Sequence, residues 1–256
     1  MLTRPILRRE VSRRSASTAS SYDRAMPHHE GHETPHAALH DACRGAFIVL
    51  DGPDGSGKST QFRRLCDALR AGRIEVVETR EPGGTAVGER IREVLLDPIH
   101  DDMTVRCEML LYMASRAQLV ERVIRPAIAR GATVVADRFV SSTLAYQGTA
   151  GGLAQPEIMA VADTAVGGTW PDLTVIFDVD EITASRRLSP LLDRMEQKGL
   201  DFHRRVREGY LAQVRASPGR HLVVDASQDV DAVTDALFSG LVARLGAAAV
   251  ARSAPR

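Results

Sequence analysis

The segment Gly52-Pro53-Asp54-Gly55-Ser56-Gly57-Lys58-Ser59 carries the strongest structural signal in the chain. It matches G-x-x-x-x-G-K-[ST] and comes after an apolar run at residues 47–50 (FIVL), with one acidic residue between. The predicted order is therefore strand, phosphate loop, helix. In such a loop the backbone N–H groups surround a phosphate, Lys58 reaches the β- and γ-phosphates, and the Ser59 hydroxyl can bind Mg²⁺. The apolar stripe at residues 61–69 has helical spacing, which distinguishes this segment from a chance glycine-rich turn.

Short β-rich runs alternate with helical patterns along the rest of the chain. After the first strand, the runs lie at residues 74–79, 133–136, 173–177 and 222–224. This alternation predicts a five-stranded parallel sheet covered by helices on both faces, a three-layer α/β/α domain. Acidic residues stand at or just past the strand ends, at Asp51, Glu81, Asp137, Asp178 and Asp225. Because ligands bind at the carboxyl ends of parallel strands, we expect the site at that edge.

Helical patterns occupy the intervals between these runs. Thr85 is expected to cap a helix that runs to about residue 95. One long helix is expected over residues 104–129, with Pro126 ending or kinking it. Further helices are expected at 156–165, at 186–215 around an interruption at 189–190, and at 230–245.

Composition excludes several classes of protein. The 256 residues carry 33 Lys+Arg and 33 Asp+Glu, so no bulk charge favours a nucleic acid or a membrane surface as partner. No window is apolar over eighteen residues, the length that a transmembrane helix needs. The three cysteines, Cys43, Cys66 and Cys107, are too scattered for a disulfide framework or a metal knuckle. They are typical of a reduced, cytoplasmic protein.

Residues 1–44 differ in kind from the rest of the chain. They lack sustained periodicity and hold five of the eight histidines. We expect a disordered leader or an early start, with Met26 as another candidate start. An arginine- and serine-rich transit peptide is the alternative. The domain is expected over residues 45–247, with a tail at 248–256.

Asp137-Arg138 forms the second informative constellation, because it comes directly after a buried strand. An acid at this place in a phosphate-loop protein holds Mg²⁺, directly or through water. The neighbouring guanidinium can grip a further phosphate group with two hydrogen bonds.

Four segments together resemble bacterial thymidylate kinases, in order and spacing. They are residues 51–60 (DGPDGSGKST), 79–85 (TREPGGT), 116–118 (RAQ) and 137–147 (DRFVSSTLAYQ). The likeness runs from about residue 46 to 245 and implies a phosphate-loop nucleoside monophosphate kinase with a short lid. The implied reaction is transfer of the ATP γ-phosphoryl group to thymidine monophosphate (dTMP), giving the diphosphate for dTTP biosynthesis. The resemblance also implies Mg²⁺ and a homodimer through the long helices.

The resemblance assigns residues on the dTMP side. Asp54 lies near the sugar 3′-hydroxyl, Arg92 and Arg138 grip the monophosphate, and Arg116 donates to the thymine carbonyl. Tyr112 stands where the family usually has a phenylalanine that stacks on the base. Thr143 and Gln147 line the base pocket, and the ring of Tyr146 disfavours a ribose 2′-hydroxyl.

The ATP side, the metal and the catalytic set are assigned in the same way. The implied ATP-binding residues are Gly52, Pro53, Asp54, Gly55, Ser56, Gly57, Lys58, Ser59, Thr60 and Arg187. Ser59 and Asp137 are the implied Mg²⁺ ligands, and Lys58, Asp137, Arg138 and Arg194 the implied catalytic residues.

The predicted lid, at about residues 185–198, departs most from the family pattern. It is about two residues short and keeps only three arginines, Arg186, Arg187 and Arg194. Family members with glycine at the position of Gly55 supply a catalytic arginine from the lid. Either Arg194 or Arg187 fits that role, and a solvated helix face would also be rich in arginine.

Three alternatives remain open at this point. A kinase of another nucleotide would share the phosphate loop and the Asp-Arg pair. A switch or ATPase would act without an acceptor, although the sequence has no Asn-Lys-x-Asp guanine motif. A non-catalytic nucleotide-binding module is the third, because the lid is thinned.

Overall fold

The protein is seen here in a computed structural model that describes residues 36–187 and 193–252, the last five of these by their backbone alone. Five parallel strands form one sheet in the order β2-β3-β1-β4-β5. The strands are β1 (Phe47–Asp51), β2 (Val76–Arg80), β3 (Thr133–Asp137), β4 (Leu173–Asp178) and β5 (His221–Asp225). The predicted five-stranded parallel sheet is confirmed.

The helices connect the strands in an alternating order. They are α1 (Ala37–Cys43), α2 (Lys58–Ala71), α3 (Ala86–Leu96), α4 (Val105–Leu119), α5 (Arg125–Ala129), α6 (Val140–Thr143), α7 (Gln155–Val166), α8 (Glu181–Ser185), α9 (Gly199–Ala216) and α10 (Val230–Arg252). Two π-helical segments, Val120–Ile124 and Leu144–Ala150, continue α4 and α6 directly. Short 3₁₀ turns lie at Pro98–His100, Glu196–Lys198 and Pro218–Arg220. No helix in this described part of the chain is both long and apolar enough to cross a membrane.

Alternate side chains of the central strand enter two different cores, which makes the domain three-layered. Ile48 and Leu50 pack with the helices α1, α2 and α10. Phe47 and Val49 pack on the other face with α4, α5 and α7. Since successive strand residues point to opposite faces, a sheet buried on both sides needs continuous apolar strands, as the sequence has.

The register of the sheet brings the site residues to one edge. Leu50 pairs with Asp137, and Arg80 pairs with the same residue from the other side. The carboxyl ends of β1, β2 and β3 therefore lie next to each other. The loop after β1 and the Asp-Arg pair at the end of β3 emerge side by side.

The predicted domain boundary at residue 44 is wrong. Residues 37–43 form helix α1, in which Leu39 and Cys43 are buried in the core beside α2 and α10. The His40 Nε2 atom lies 3.0 Å from the carbonyl oxygen of Ala68. At the other end, α10 continues to Arg252, so the predicted boundary at 247 falls within a helix. Residues 1–35 lie outside the described part of the chain, and the leader stays a prediction for them.

The long helix predicted over residues 104–129 is divided into three segments. Pro126 lies in the first turn of α5 and does not end the helix. Proline has no N–H and its ring clashes with the carbonyl four residues earlier, which accounts for the wider π turn at Val120–Ile124. The helical region predicted over 186–215 around an interruption at 189–190 is wrong in its first part, because in the described residues the regular helix of that region, α9, begins at Gly199.

Candidate active site

The phosphate loop turns on glycines that no other residue could replace without strain. Gly57 caps α2 in the left-handed conformation, with φ of 84°. Gly55 has φ of 77°, and a Cβ atom there would lie 2.2 Å from the carbonyl oxygen of Ala184. A side chain at position 55 would therefore collide with the backbone of α8. The loop cannot carry an arginine at this position in this conformation.

Lys58 lies folded over the loop. Its ammonium group donates to the carbonyl oxygens of Gly52 at 3.0 Å and of Pro53 at 2.8 Å. Burial, reinforced by the positive charge of Arg138, lowers the pKa of Lys58 to about 8. Asp54 opposes this shift by favouring the charged form. Lys58 is thus a cation that little water screens.

A cleft of about 700 Å³ opens above the carboxyl ends of the strands. Most of the predicted site residues line it, and they come from five separate segments of the chain. These are Asp54, Gly55, Ser56, Gly57, Lys58, Ser59, Thr60, Arg92, Tyr112, Asp137, Arg138, Thr143, Tyr146, Gln147 and Arg187. The cleft walls are therefore the phosphate loop on one side and α3, α4 and the segment after β3 on the other.

Arg138 stands where these two walls meet. Its backbone has φ of 72°, unusual for a residue with a side chain, and its guanidinium pairs with the Asp54 carboxylate. One nitrogen of the group also donates to Ser142 Oγ at 3.0 Å and to the Tyr210 hydroxyl at 3.2 Å. The central carbon of the guanidinium lies over the Tyr146 ring, 5.3 Å from its centre. These contacts hold Arg138 in one position at the cleft surface.

Asp54 connects the phosphate loop with the opposite wall. The hydroxyl of Tyr146 donates to it at 2.7 Å, and Arg138 binds its other oxygen. Burial works to raise the pKa of Asp54, but the combined charges of Arg138 and Lys58 and the Tyr146 hydrogen bond outweigh it and lower the pKa to about 2. The carboxylate is thus ionised at neutral pH.

A fully buried carboxylate, Asp51, organises the residues beneath Arg138. It accepts from the hydroxyls of Ser141 at 2.6 Å, Ser142 at 2.7 Å and Tyr210 at 2.6 Å. Sequence reasoning missed Tyr210, because α9 brings it from a distant part of the chain. Its only sequence signal is an aromatic residue on the apolar stripe of an amphipathic helix.

Arg116 lies beneath the cleft rather than on its wall. The guanidinium is 1% exposed, and its Nε donates to Glu81 Oε2 at 2.7 Å. A further nitrogen donates to the Thr143 hydroxyl oxygen at 3.2 Å. Burial raises the pKa of Glu81 to about 7, while the pairing with Arg116 opposes the rise. The predicted contact of Arg116 with a base carbonyl stays a prediction.

Arg194, predicted as a catalytic arginine, is also turned into the protein. Its Nε donates to the carbonyl oxygen of Leu95 at 2.7 Å, and its Nη2 forms an ion pair with Glu108 Oε2 at 2.6 Å. Lys198 reaches the same carboxylate at 3.2 Å. Arg194 therefore fastens the C-terminal end of the predicted lid to α3 and α4, and it does not line the cleft.

Comparison with known proteins agrees with this geometry. A family model described as thymidylate kinase matches residues 50–237. A thymidylate kinase of Pseudomonas fluorescens is 49% identical over 197 residues, which cover 76% of this chain and 94% of the relative. The chain belongs to the thymidylate kinase family. A thymidylate kinase of Deinococcus radiodurans, 47% identical over 205 residues, covers 78% of this chain and 98% of its own length, and one of Exiguobacterium, 45% identical over 203 residues, covers 78% and 96%.

The structure describes the predicted lid only at its two ends. Arg187 lies at the first end, where it lines the cleft and donates to the carbonyl oxygen of Ala226 at 2.9 Å. At the second end, the Asp193 side chain accepts from the N–H groups of Met195 at 2.8 Å and Glu196 at 2.9 Å, just before the 3₁₀ turn. Residues 188–192 lie outside the described part of the chain. Of the two candidate arginines, only Arg187 faces the cleft.

The predicted Mg²⁺ ligands, Ser59 and Asp137, both offer oxygen atoms to the cleft. Asp137 Oδ1 is buried and has no hydrogen-bond partner among the residues that the structure describes. Ser59, at the start of α2, lines the same cleft. A carboxylate and a hydroxyl oxygen are the kind of ligand that Mg²⁺ takes, together with phosphate oxygens and water. Among the described residues, no group of three or more histidine, cysteine, aspartate or glutamate side chains is placed to hold a metal ion.

Proposed function

We propose that this chain transfers the γ-phosphoryl group of ATP to dTMP in the cleft between the phosphate loop and Arg138, with formation of dTDP. One observation carries the proposal. Lys58, which is buried, and Arg138, which is half-buried, are both cationic and face one cavity beyond the ends of the neighbouring strands β1 and β3. Two anionic groups that enter it from opposite ends would meet between them.

The ATP side of the proposal rests on the loop. The N–H groups at residues 52–60 and the start of α2 favour a chain of phosphates, because helix N-termini and nested amides attract anions. Lys58 would leave its carbonyl partners for the phosphate oxygens. Arg187 lies beside Ala226, at the end of the cleft near β5, and we assign it to the donor nucleotide.

The dTMP side is assigned to the opposite wall. Arg92 donates to the carbonyl oxygen of Pro82 at 3.0 Å, which holds it at the cleft edge with Arg138 for the monophosphate. Tyr112 would stack on the base, and burial raises the pKa of its hydroxyl, so the ring stays neutral. Thr143 and Gln147 would contact the base edge, and Tyr146 with Asp54 would contact the sugar.

In phosphoryl transfer the main tasks of the protein are to position the two reactants and to balance the phosphate charge. Phosphoryl transfer passes through a loose transition state, so alignment of the acceptor and stabilisation of the phosphate charge supply most of the acceleration. The acceptor oxygen belongs to a phosphate anion, so no strong general base is needed. Ser59 and Asp137 would hold Mg²⁺, which when bound neutralises charge on the β- and γ-phosphate oxygens. Closure of the lid over the cleft would exclude water, whose attack would waste ATP.

We also infer a cytoplasmic homodimer. Three exposed apolar side chains, Val87 and Val94 on α3 and Leu110 on α4, lie on helices that pack against each other. Isolated apolar side chains are common on protein surfaces, whereas neighbouring ones favour an interface. Sedimentation velocity of the full chain would show a species of twice the chain mass. A monomer at all concentrations would refute the dimer and leave the proposed reaction unaffected.

The test of the reaction is an acceptor screen with the full-length protein. ADP release from ATP and Mg²⁺ is measured with dTMP and with the monophosphates of deoxyuridine, uridine and cytidine. The proposal predicts ADP release that depends on the acceptor and is fastest with dTMP. A faster reaction with another acceptor would indicate a different nucleotide kinase. An equal rate with and without acceptor would indicate an ATPase, and bound ATP without turnover a binding module.

A further inference from the structure

Glu108 is a buried carboxylate that the sequence did not single out, and it lies between the predicted base pocket and the C-terminal end of the predicted lid. It is 1% exposed. Its Oε1 accepts from the Nε2 of Gln147 at 2.6 Å. Its Oε2 pairs with Arg194 at 2.6 Å and with Lys198 at 3.2 Å. One carboxylate therefore contacts a predicted base-pocket residue and two cations.

The hydrogen-bond partners determine which way the amide of Gln147 is turned. A carboxylate in ion pairs with Arg194 and Lys198 can only accept hydrogen bonds. The side chain of Gln147 must then present its NH₂ group to Glu108, because its oxygen would meet a negative charge at 2.6 Å. The amide oxygen is left on the side away from the carboxylate, and Gln147 lines the cleft.

We propose that Glu108 is a positioning residue that fixes the Gln147 amide with its oxygen toward the base, and so selects a base with an N–H at ring position 3. Thymine and uracil carry such a donor, whereas cytosine has a bare nitrogen that accepts there. An amide oxygen facing a cytosine nitrogen leaves two acceptors in contact, which a buried site rejects. This inference rests on the proposed function and names the part of it that distinguishes pyrimidine bases.

The test uses a substitution that removes the constraint without changing the size of the side chain. In the Glu108→Gln variant, residue 108 can donate as well as accept, so the Gln147 amide can take either orientation. We measure kcat/KM for dTMP and for deoxycytidine monophosphate (dCMP) at saturating ATP. The ratio of the two values, dTMP over dCMP, is expected to fall by about tenfold or more, through KM rather than kcat. Thr143 is unchanged and retains the rest of the discrimination.

An exchange of the two side chains is the matched control. In the double variant Glu108→Gln with Gln147→Glu, residue 147 becomes a carboxylate, which can only accept, and residue 108 donates to it. The composition and charge of the pair are conserved. The selectivity ratio is expected to return to within about threefold of the wild-type value, even if both rates fall. Glu108→Asp, which remains an acceptor only, is expected to keep the preference for dTMP.

Each outcome supports or overturns the proposed role of Glu108. An unchanged ratio in folded Glu108→Gln overturns the proposal, as does a double variant that retains the loss. Because the ratio is taken on one sample, a smaller fraction of folded enzyme cancels. The single variant could fail to fold because Arg194 loses its charged partner. In that case the ratio of kcat/KM for dTMP to kcat/KM for dCMP, measured in the double variant and in Glu108→Asp, tests the proposal. A wild-type protein without activity on dTMP would refute the proposed function, whereas an active one that uses dCMP equally well would refute this inference alone.

Discussion

The charge of Arg138 is balanced within the protein before any phosphate arrives. Asp54 and Asp51 both contact the guanidinium, which nevertheless remains part of the cleft surface. Burial works to lower the pKa of Arg138, but the negative charges of these carboxylates outweigh it, so the pKa lies above its ordinary value. A cation that is fixed in advance costs little reorganisation when a phosphate binds, which is the main advantage of a preorganised site.

Substitution of Arg138 tests its assigned role. Arg138→Ala is expected to lower kcat/KM for dTMP by about 10²- to 10³-fold, since the acceptor phosphate loses its grip and Asp54 loses its partner. The matched control is Arg130→Ala, which removes an exposed arginine whose side chain pairs with Glu75 at 2.8 Å. Steady-state kinetics should show near wild-type values for the control. Near-normal turnover of Arg138→Ala would contradict the assignment.

Lys58 leads to a prediction about pH. Its pKa is lowered to about 8 in the free protein, and only the protonated form can stabilise phosphate charge. As pH rises through about 8, Lys58 loses its proton, so kcat/KM for ATP should fall in that range, because this parameter reports the free enzyme. The Lys58→Arg variant, cationic at all these pH values, should show a lower but flatter profile. A wild-type profile that is flat to pH 10 would remove Lys58 from this role.

At the residue scale, the sequence predicted the types of residue better than their orientation. The phosphate loop, Asp137 and Arg138 could be predicted because their spacing is dictated by local backbone geometry. Arg116 and Arg194 could not be placed, because their directions are set by Glu81 and Glu108, carboxylates that are remote in sequence. No local pattern shows which buried acid will pair with which arginine.

At the scale of elements, the loop and α8 fit together so closely that position 55 requires glycine. Gly55→Ala would place a Cβ atom 2.2 Å from Ala184 and force φ of 77° on a residue with a side chain. Gly131→Ala has nearly the same φ, 80°, and open space around the new atom. We expect Gly131→Ala to cost about 1 kcal/mol of unfolding free energy and Gly55→Ala about 2–3 kcal/mol or more. Urea denaturation measures the unfolding free energy of both variants. Equal losses would show that α8 moves away to make room for the new Cβ atom at position 55.

Helix α1 is part of the folded domain, although the sequence assigned it to the leader. Its seven residues are too few to show a clear period, and its stability comes from packing rather than propensity. Leu39→Ala should cost about 2–5 kcal/mol, because Leu39 is 2% exposed in the core beside α10. Denaturant titration of the full chain measures this cost. A loss below about 0.5 kcal/mol would mean that α1 contributes no packing.

The short helix α6 and the π-helical segment after it were also absent from the prediction, which treated residues 137–147 only as a motif. The side chains of this segment contribute to both the site and the core. Ser141 and Ser142 donate hydrogen bonds to Asp51, while Val140 packs in the core on the α4, α5 and α7 face of the sheet. A segment that faces a site on one side and a core on the other shows no clean helical stripe. The residues that the site requires in this segment therefore obscure its helical hydrophobic pattern.

For the whole molecule, the five-stranded parallel sheet and the alternation of its strands with helices could be predicted from the sequence, because buried parallel strands and amphipathic helices have distinct periods. The positions of the five strands agree within two residues with the predicted runs. What the sequence could not provide is the assembly of the cleft from remote segments. That assembly places the loop, α3, α4 and the segment after β3 around one cavity.

If two anionic nucleotides meet end to end in this cleft, the phosphoryl group must pass from one to the other without reaching water. ATP labelled in its γ-phosphate is mixed with the full-length protein, Mg²⁺ and dTMP, and the products are separated after a single turnover. We expect the label to appear in dTDP in an amount equal to the ADP formed. Label that appears in inorganic phosphate instead, at a rate independent of dTMP, would show that the two nucleotides do not meet there.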